Sequence, residues 1–203
     1  FVHSELARAF EPMQILLQSR SVPAGFPPIE TTADLRRARA NLPEDTVILQ
    51  FLVLPQRTYT WVVTRERIVL TQSSVKKEKI HKWVNDVLEK VDAHQDLELS
   101  PVPRAVYSQL FSLPLKEAGA SKTRIVIVPD EPMQGFPFNA LETADGYLID
   151  RASIATAGST SLYLYALARD RQLAMDRKPS VLLVSNPAFK AFDWLPSVKA
   201  EVE

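Results

Sequence analysis

The sequence contains no cysteine, which removes disulfide bridges, thiolate metal sites and thiol nucleophiles together. Glycine is almost as scarce. The five glycines are Gly25, Gly119, Gly135, Gly146 and Gly158, no two closer than eleven positions, so neither a phosphate-cradling loop nor a dinucleotide fingerprint can be written. Gly158-Ser159-Thr160 lacks the second glycine that a strained nucleophile elbow needs, and Ser159 reads instead as a helix cap. Charge of one sign is also missing. Lys plus Arg and Asp plus Glu stand at 24 each, so no net field draws the chain to nucleic acid or an anionic membrane. The longest apolar runs, residues 47–54 (interrupted by Gln50) and 125–128, are far too short to cross a bilayer, and no basic-then-apolar leader opens the chain. These absences imply a cytosolic protein that binds neither nucleic acid nor membrane, and they call for no cofactor.

What is present is enough apolar content to fold. With 203 residues at 46% hydrophobic, the chain can bury the core of one large domain or two small lobes. Leu6, Phe10, Met13, Leu16 and Leu17 recur at three- and four-residue steps, one helical face with a kink or break at Pro12. Residues 21–30 hold three of the 15 prolines plus Gly25 and read as a linker. Thr32 is placed to cap a short helix that runs to Leu42 and stops at Pro43. Residues 46–54 and 57–64 then read as a hairpin turned at Pro55-Gln56, with a third strand at 67–71.

From Val75 the period changes. Ile80, Trp83, Val84, Val87, Leu88 and Val91 form the stripe of a long helix, and residues 103–118 form another with Val106, Leu110, Leu113 and Leu115 inward. Residues 123–128 are a short apolar strand of the type expected in the middle of a sheet covered on both faces, followed by the rigid turn Pro129-Asp130-Glu131-Pro132. Short strands at 147–149 and 153–156, a helix from Ser159 to Leu173 and a strand at 180–185 complete the pattern. Strands separated by helices argue for an α/β sheet, because parallel neighbours need a long crossover.

Few side chains suggest chemistry. His3, His81 and His94 have no second ligand at metal-binding spacing, and His94 falls where a charged imidazole would favour a helix C-terminus. Lys76-Lys77-Glu78-Lys79 is a basic cluster opening a helix, without the interleaved aromatics of a nucleic-acid surface, and reads as a solvated face. Asp130 and Glu131 follow a buried strand, where α/β proteins often place functional groups. The flanking prolines suit a plain structural turn better.

Three segments, in order, carry a family resemblance. They are Leu42-Pro43-Glu44-Asp45-Thr46-Val47-Ile48-Leu49-Gln50-Phe51 with residues 58–64; Arg124-Ile125-Val126-Ile127-Val128-Pro129-Asp130-Glu131-Pro132-Met133 running to Phe136-Pro137-Phe138-Asn139-Ala140-Leu141; and residues 180–187 with Leu195-Pro196 and Glu201. Together they resemble the CHAT domain, a caspase-like cysteine peptidase family often found behind tetratricopeptide repeats in bacterial proteins. The resemblance spans residues 31–203 and implies a caspase-like mixed sheet flanked by helices with an N-terminal hairpin lobe. Residues 1–30 would then be a helical lead-in and linker at the end of a preceding repeat region.

In this family the catalytic histidine and cysteine each follow a later strand, and no position here matches either motif. No catalytic residue, cofactor or metal ligand is therefore carried over. Phe1 and the helix-like Ala200-Glu201-Val202-Glu203 fit an excerpt truncated before the catalytic half. The resemblance thus implies the front portion of a peptidase whose parent cleaves a protein substrate. A degenerate caspase-like scaffold that binds a partner fits the missing cysteine too. A small-molecule α/β domain would need a deep apolar pocket with convergent polar groups.

Overall fold

The structure is a computed structural model that describes residues 32–94 and 100–176, with side chains described for 34–94 and 100–170. Residues 1–169 fall in one compact unit and 170–203 in a second, of which only the end of one helix is described. The expected helix at 1–20, the linker at 21–30 and the strand at 180–185 lie outside the described residues.

Helix α1 (Thr32–Arg39) precedes three strands, β1 (Thr46–Val53), β2 (Thr58–Val63) and β3 (Ile68–Ser73). The helix ends three residues before the expected Leu42. Turn bonds from the Asn41 and Leu42 amides to the Ala38 and Arg39 carbonyls let Leu42 fold inward to 1% exposure. The strands are joined by tight turns at Pro55-Gln56 and Arg65-Glu66, closed by Leu54 N to Arg57 O and Thr64 N to Arg67 O, both at 2.9 Å. Next come α2 (Lys77–Asp92), α3 (Val102–Val106), a π turn (Tyr107–Phe111) and α4 (Ser112–Ala118). The chain continues through β4 (Arg124–Val128), the two-residue strands β5 (Glu142–Thr143) and β6 (Gly146–Tyr147), β7 (Ser153–Thr156) and α5 (Thr160–Asp176).

Among the described residues, five strands form one mixed sheet in the order β3-β2-β1-β4-β7. The hairpin pairs are antiparallel, whereas β1 with β4 and β4 with β7 are parallel. The strand at 124–128 is therefore interior, as expected, and among the described strands β1 takes the middle place. Both are buried on both faces, which explains their unbroken apolar runs.

Alternation sends Val47, Leu49, Phe51 and Val53 of β1 to a first core shared with α2, α3 and the π turn. Ile48 goes to a second core with Leu35 and Leu42 behind α1 and Leu164 of α5. Trp83 meets the first core as expected from its register with Ile80 and Val87. Leu88 and Val91, assigned to the same stripe, are 37% and 45% exposed, so the stripe holds only to Val87.

The helix expected at 103–118 contains a π turn that the periodicity does not announce. An i→i+5 turn inserts one residue into the helical count and rotates the following face by about 100°. Phe111 and Pro114 consequently point inward, and Leu113 is left 48% exposed. Gly119 closes α4 with φ of 98°, a backbone region that L side chains rarely adopt.

Candidate functional site

Open α/β sheets bind ligands at the carboxyl ends of their parallel strands, and beyond β4 the chain turns at Asp130. One carboxylate oxygen of Asp130 accepts the Val53 amide of β1 at 2.6 Å, and the other accepts the Glu131 amide at 3.0 Å. The carboxylate thus extends the β1–β4 ladder past the point where backbone pairing stops at Gln50 and Val128, and it opens the one-turn 3-10 helix Glu131–Met133.

Glu131 faces solvent and pairs with Lys77 in the first turn of α2 at 2.9 Å. The hydrogen bond from Lys77 is the largest influence and holds its carboxyl below the ordinary value of 4.5; desolvation opposes it next, and the fields of Lys77 and then His81 add to the lowering. A carboxyl whose folded value is lowered stabilises the fold above the ordinary carboxylate range and loses that contribution as pH falls through the folded value. The stability difference between wild type and Glu131→Gln is therefore expected to be largest near pH 7 and to shrink below about pH 4. Denaturant melts at stepped pH check this, and a difference that grew on acidification would contradict it.

Behind the turn, the segment after Met133 folds back over the first core. Phe136, Phe138 and Leu141 are 6%, 6% and 0% exposed. Phe138 stacks at a tilt on Phe136 and Phe111, with ring centroids 5.4 and 6.0 Å apart, and Phe111 continues to Phe51 of β1 at 5.1 Å. Four aromatic rings thereby seal this end of the sheet. The apolar gap lined by Ile80, Trp83, Met133 and Phe136 measures only about 10 Å³, roughly the room of a single probe-sized water. It offers no cleft for a small molecule.

The other candidate side chains do not join this place into a reactive set. Ser159 is a cap, its hydroxyl accepting the Leu162 amide at 3.1 Å, as expected from its place ahead of an apolar helical run. His94 sits at φ 53° just past α2, its Nδ1 3.0 Å from the Asp92 carbonyl. Of the basic cluster, Lys79 is bound to Gln109 at 3.0 Å and lies 4.8 Å from the Trp83 ring centre, while Lys76 and Lys82 are exposed on a groove of about 380 Å³. Among the described residues no three His, Asp or Glu side chains converge as metal ligands would.

One polar contact was not foreseen. Thr160 Oγ1 donates to Gln50 Oε1 at 2.6 Å, with both residues fully buried, and so fixes the start of α5 to the middle strand. A lone glutamine inside an apolar strand was the available signal, because a buried amide must find partners.

This sheet end, closed by a Pro-Asp turn and a Pro-Phe tail, is built from the second of the three resembling segments. A family comparison matches residues 100–203, just over half of the chain, to the CHAT domain. The chain belongs to the CHAT domain family. No curated protein matches it. The CHAT match takes in the second and third resembling segments, including the Asp130 turn and the Phe136–Phe138 tail. It leaves out residues 42–64, although these supply β1, the middle strand of the sheet. The caspase-like character of the CHAT family thus attaches to residues 100–203, which begin just ahead of α3. Among the described residues, no helix is long and apolar enough to cross a membrane.

Proposed function

We propose that this chain is the non-catalytic front portion of a caspase-like cysteine peptidase that hydrolyses peptide bonds in a protein substrate. Its nucleophilic cysteine and the partnering histidine come from residues outside these 203. The observation that carries this reading is the complete absence of cysteine in a member of a caspase-like family. Peptide hydrolysis of this kind needs a thiolate beside an imidazole and a backbone donor for the developing oxyanion. The two-sided core around β1 and β4 suits a scaffold that holds such groups within the small tolerance catalysis allows. Neighbouring tetratricopeptide repeats would regulate the enzyme, which would act in the cytoplasm.

The same missing cysteine also favours a second reading, a degenerate scaffold that binds a protein partner without cleaving it. The full-length gene product separates the two. Peptidyl chloromethyl ketones with varied side chains should label one cysteine in it and inhibit cleavage of a peptide library. If no thiol is labelled and no peptide is cut, the binding scaffold replaces the peptidase.

A further inference from the structure

Helix α2 carries its charges against its own dipole. Lys76, Lys77, Lys79 and Lys82 cluster at its N-terminal end with Glu78 as the one acid among them, and Asp86, Glu89 and Asp92 follow in its second half. The N-terminus of a helix is its positive end, so lysines there lower its stability, as do like charges on neighbouring turns. Lys77 alone of the four meets a carboxylate, that of Glu131. Lys79 donates to the neutral Gln109 side chain. Among the described residues, no carboxylate lies within ion-pair distance of Lys76, Lys79 or Lys82. A cluster that breaks the local rule without compensation in the fold is expected at a functional site.

Lys76, Lys79 and Lys82 line an open groove of about 380 Å³ between the start of α2 and the π turn, together with Ser74, Glu78 and Gln109. All six side chains are exposed. Three lysines against one glutamate leave this groove positive, although the chain as a whole is balanced.

We propose that the groove binds an extended, acidic segment of a partner protein, with its carboxylates paired to Lys76, Lys79 and Lys82. Recurring every third residue, the lysines lie on one side of the helix and spread over about 9 Å of its axis. An extended peptide presents alternate side chains to one side at intervals of about 6.6 Å, so carboxylates two positions apart reach this row. Lys79 is already held by Gln109 and by the Trp83 ring, 4.8 Å from its ammonium, which reduces the side-chain entropy lost on binding. A nucleic acid fits less well. Single strands bind by stacking bases on exposed rings, and Trp83, beneath Lys79, is only 8% exposed. Such a surface would serve a peptidase and a binding scaffold alike.

Fluorescence anisotropy of a labelled octa-glutamate peptide, titrated with the full 203-residue chain at low salt, where screening is weakest, tests this. Reversing two lysines, Lys76→Glu with Lys82→Glu, should weaken binding at least tenfold, and neutralising them, Lys76→Gln with Lys82→Gln, at least threefold. An equal change of net charge at exposed positions elsewhere, Arg36→Glu on α1 with Lys116→Glu on α4, should weaken it less than twofold. Glutamate suits a helix N-terminus better than lysine, so the reversed chain should melt no lower than wild type, which separates lost binding from lost fold. Equal weakening by the groove and control reversals would overturn the proposal, because net charge alone would then hold the peptide. So would a wild-type chain that leaves the peptide unbound at millimolar concentration. A single-stranded oligonucleotide of equal length that binds more tightly than the peptide, and is released by the Lys76 and Lys82 reversals, would overturn it too and assign the groove to nucleic acid.

Discussion

Truncating Phe138 to alanine is expected to lower unfolding free energy by about 3–5 kcal/mol, the range for removing a buried phenylalanine from a core. Phe138 is 6% exposed and touches two other rings, Phe136 and Phe111. Its removal leaves a void bounded on one side by Phe111, which is fully buried and sits in the turn where the helix register has slipped. The surroundings are poorly placed to collapse into that void, so the loss should fall in the upper part of the range. Urea melts of the wild-type and Phe138→Ala chains measure it. A loss below about 1 kcal/mol with unchanged circular dichroism would mean that the segment is a surface loop, and its Pro-Phe tail would then be free to contact a partner.

Replacing Asp130 by alanine should cost about 2 kcal/mol. The carboxylate accepts two backbone amides, Val53 N and Glu131 N, and hydrogen bonds to a charged acceptor contribute about 1.5–3 kcal/mol. Asp130 is partly exposed, so water can replace some of what is lost and the pair of bonds does not add in full. Asp130→Asn keeps one acceptor oxygen and should lose about half as much. Backbone amide exchange supplies a local readout: the Val53 amide should exchange faster in both variants, and more so in Asp130→Ala. If Asp130→Ala melts within about 0.5 kcal/mol of wild type, the carboxylate is not a brace, and a ligand-binding role at the strand ends would return.

Much of this was legible in the sequence, and the exceptions have physical reasons. The hairpin turn at Pro55-Gln56, the apolar strand at β4, the stripe through Val87 and the cap at Ser159 follow from rules that act within a few residues. The π turn was not legible, because its i→i+5 bonding leaves no local compositional mark. It shows only as an inward Phe111 and an outward Leu113 once packing has chosen the register. The order of the strands was likewise hidden. Residues 46–53 and 124–128 are both apolar runs, and nothing in either says that β1, rather than β4, takes the middle of the sheet. Asp130 was read as a turn residue, which it is. That its carboxylate reaches Val53, far back in the chain, depends on a pairing between β1 and β4 that no local pattern encodes. Gln50 was visible as an interruption, but its partner Thr160 lies 110 positions away.

The proposed reading has these residues build a caspase-like scaffold that holds no peptide-cleaving group of its own. It is tested most directly by incubating the purified 203-residue chain with a diverse peptide library and following the products by mass spectrometry. No product above the buffer control is expected at any chain concentration, with or without reductant. Cleavage that scales with chain concentration and persists through repeated purification would contradict the claim, since a nucleophile other than cysteine would then reside within these residues.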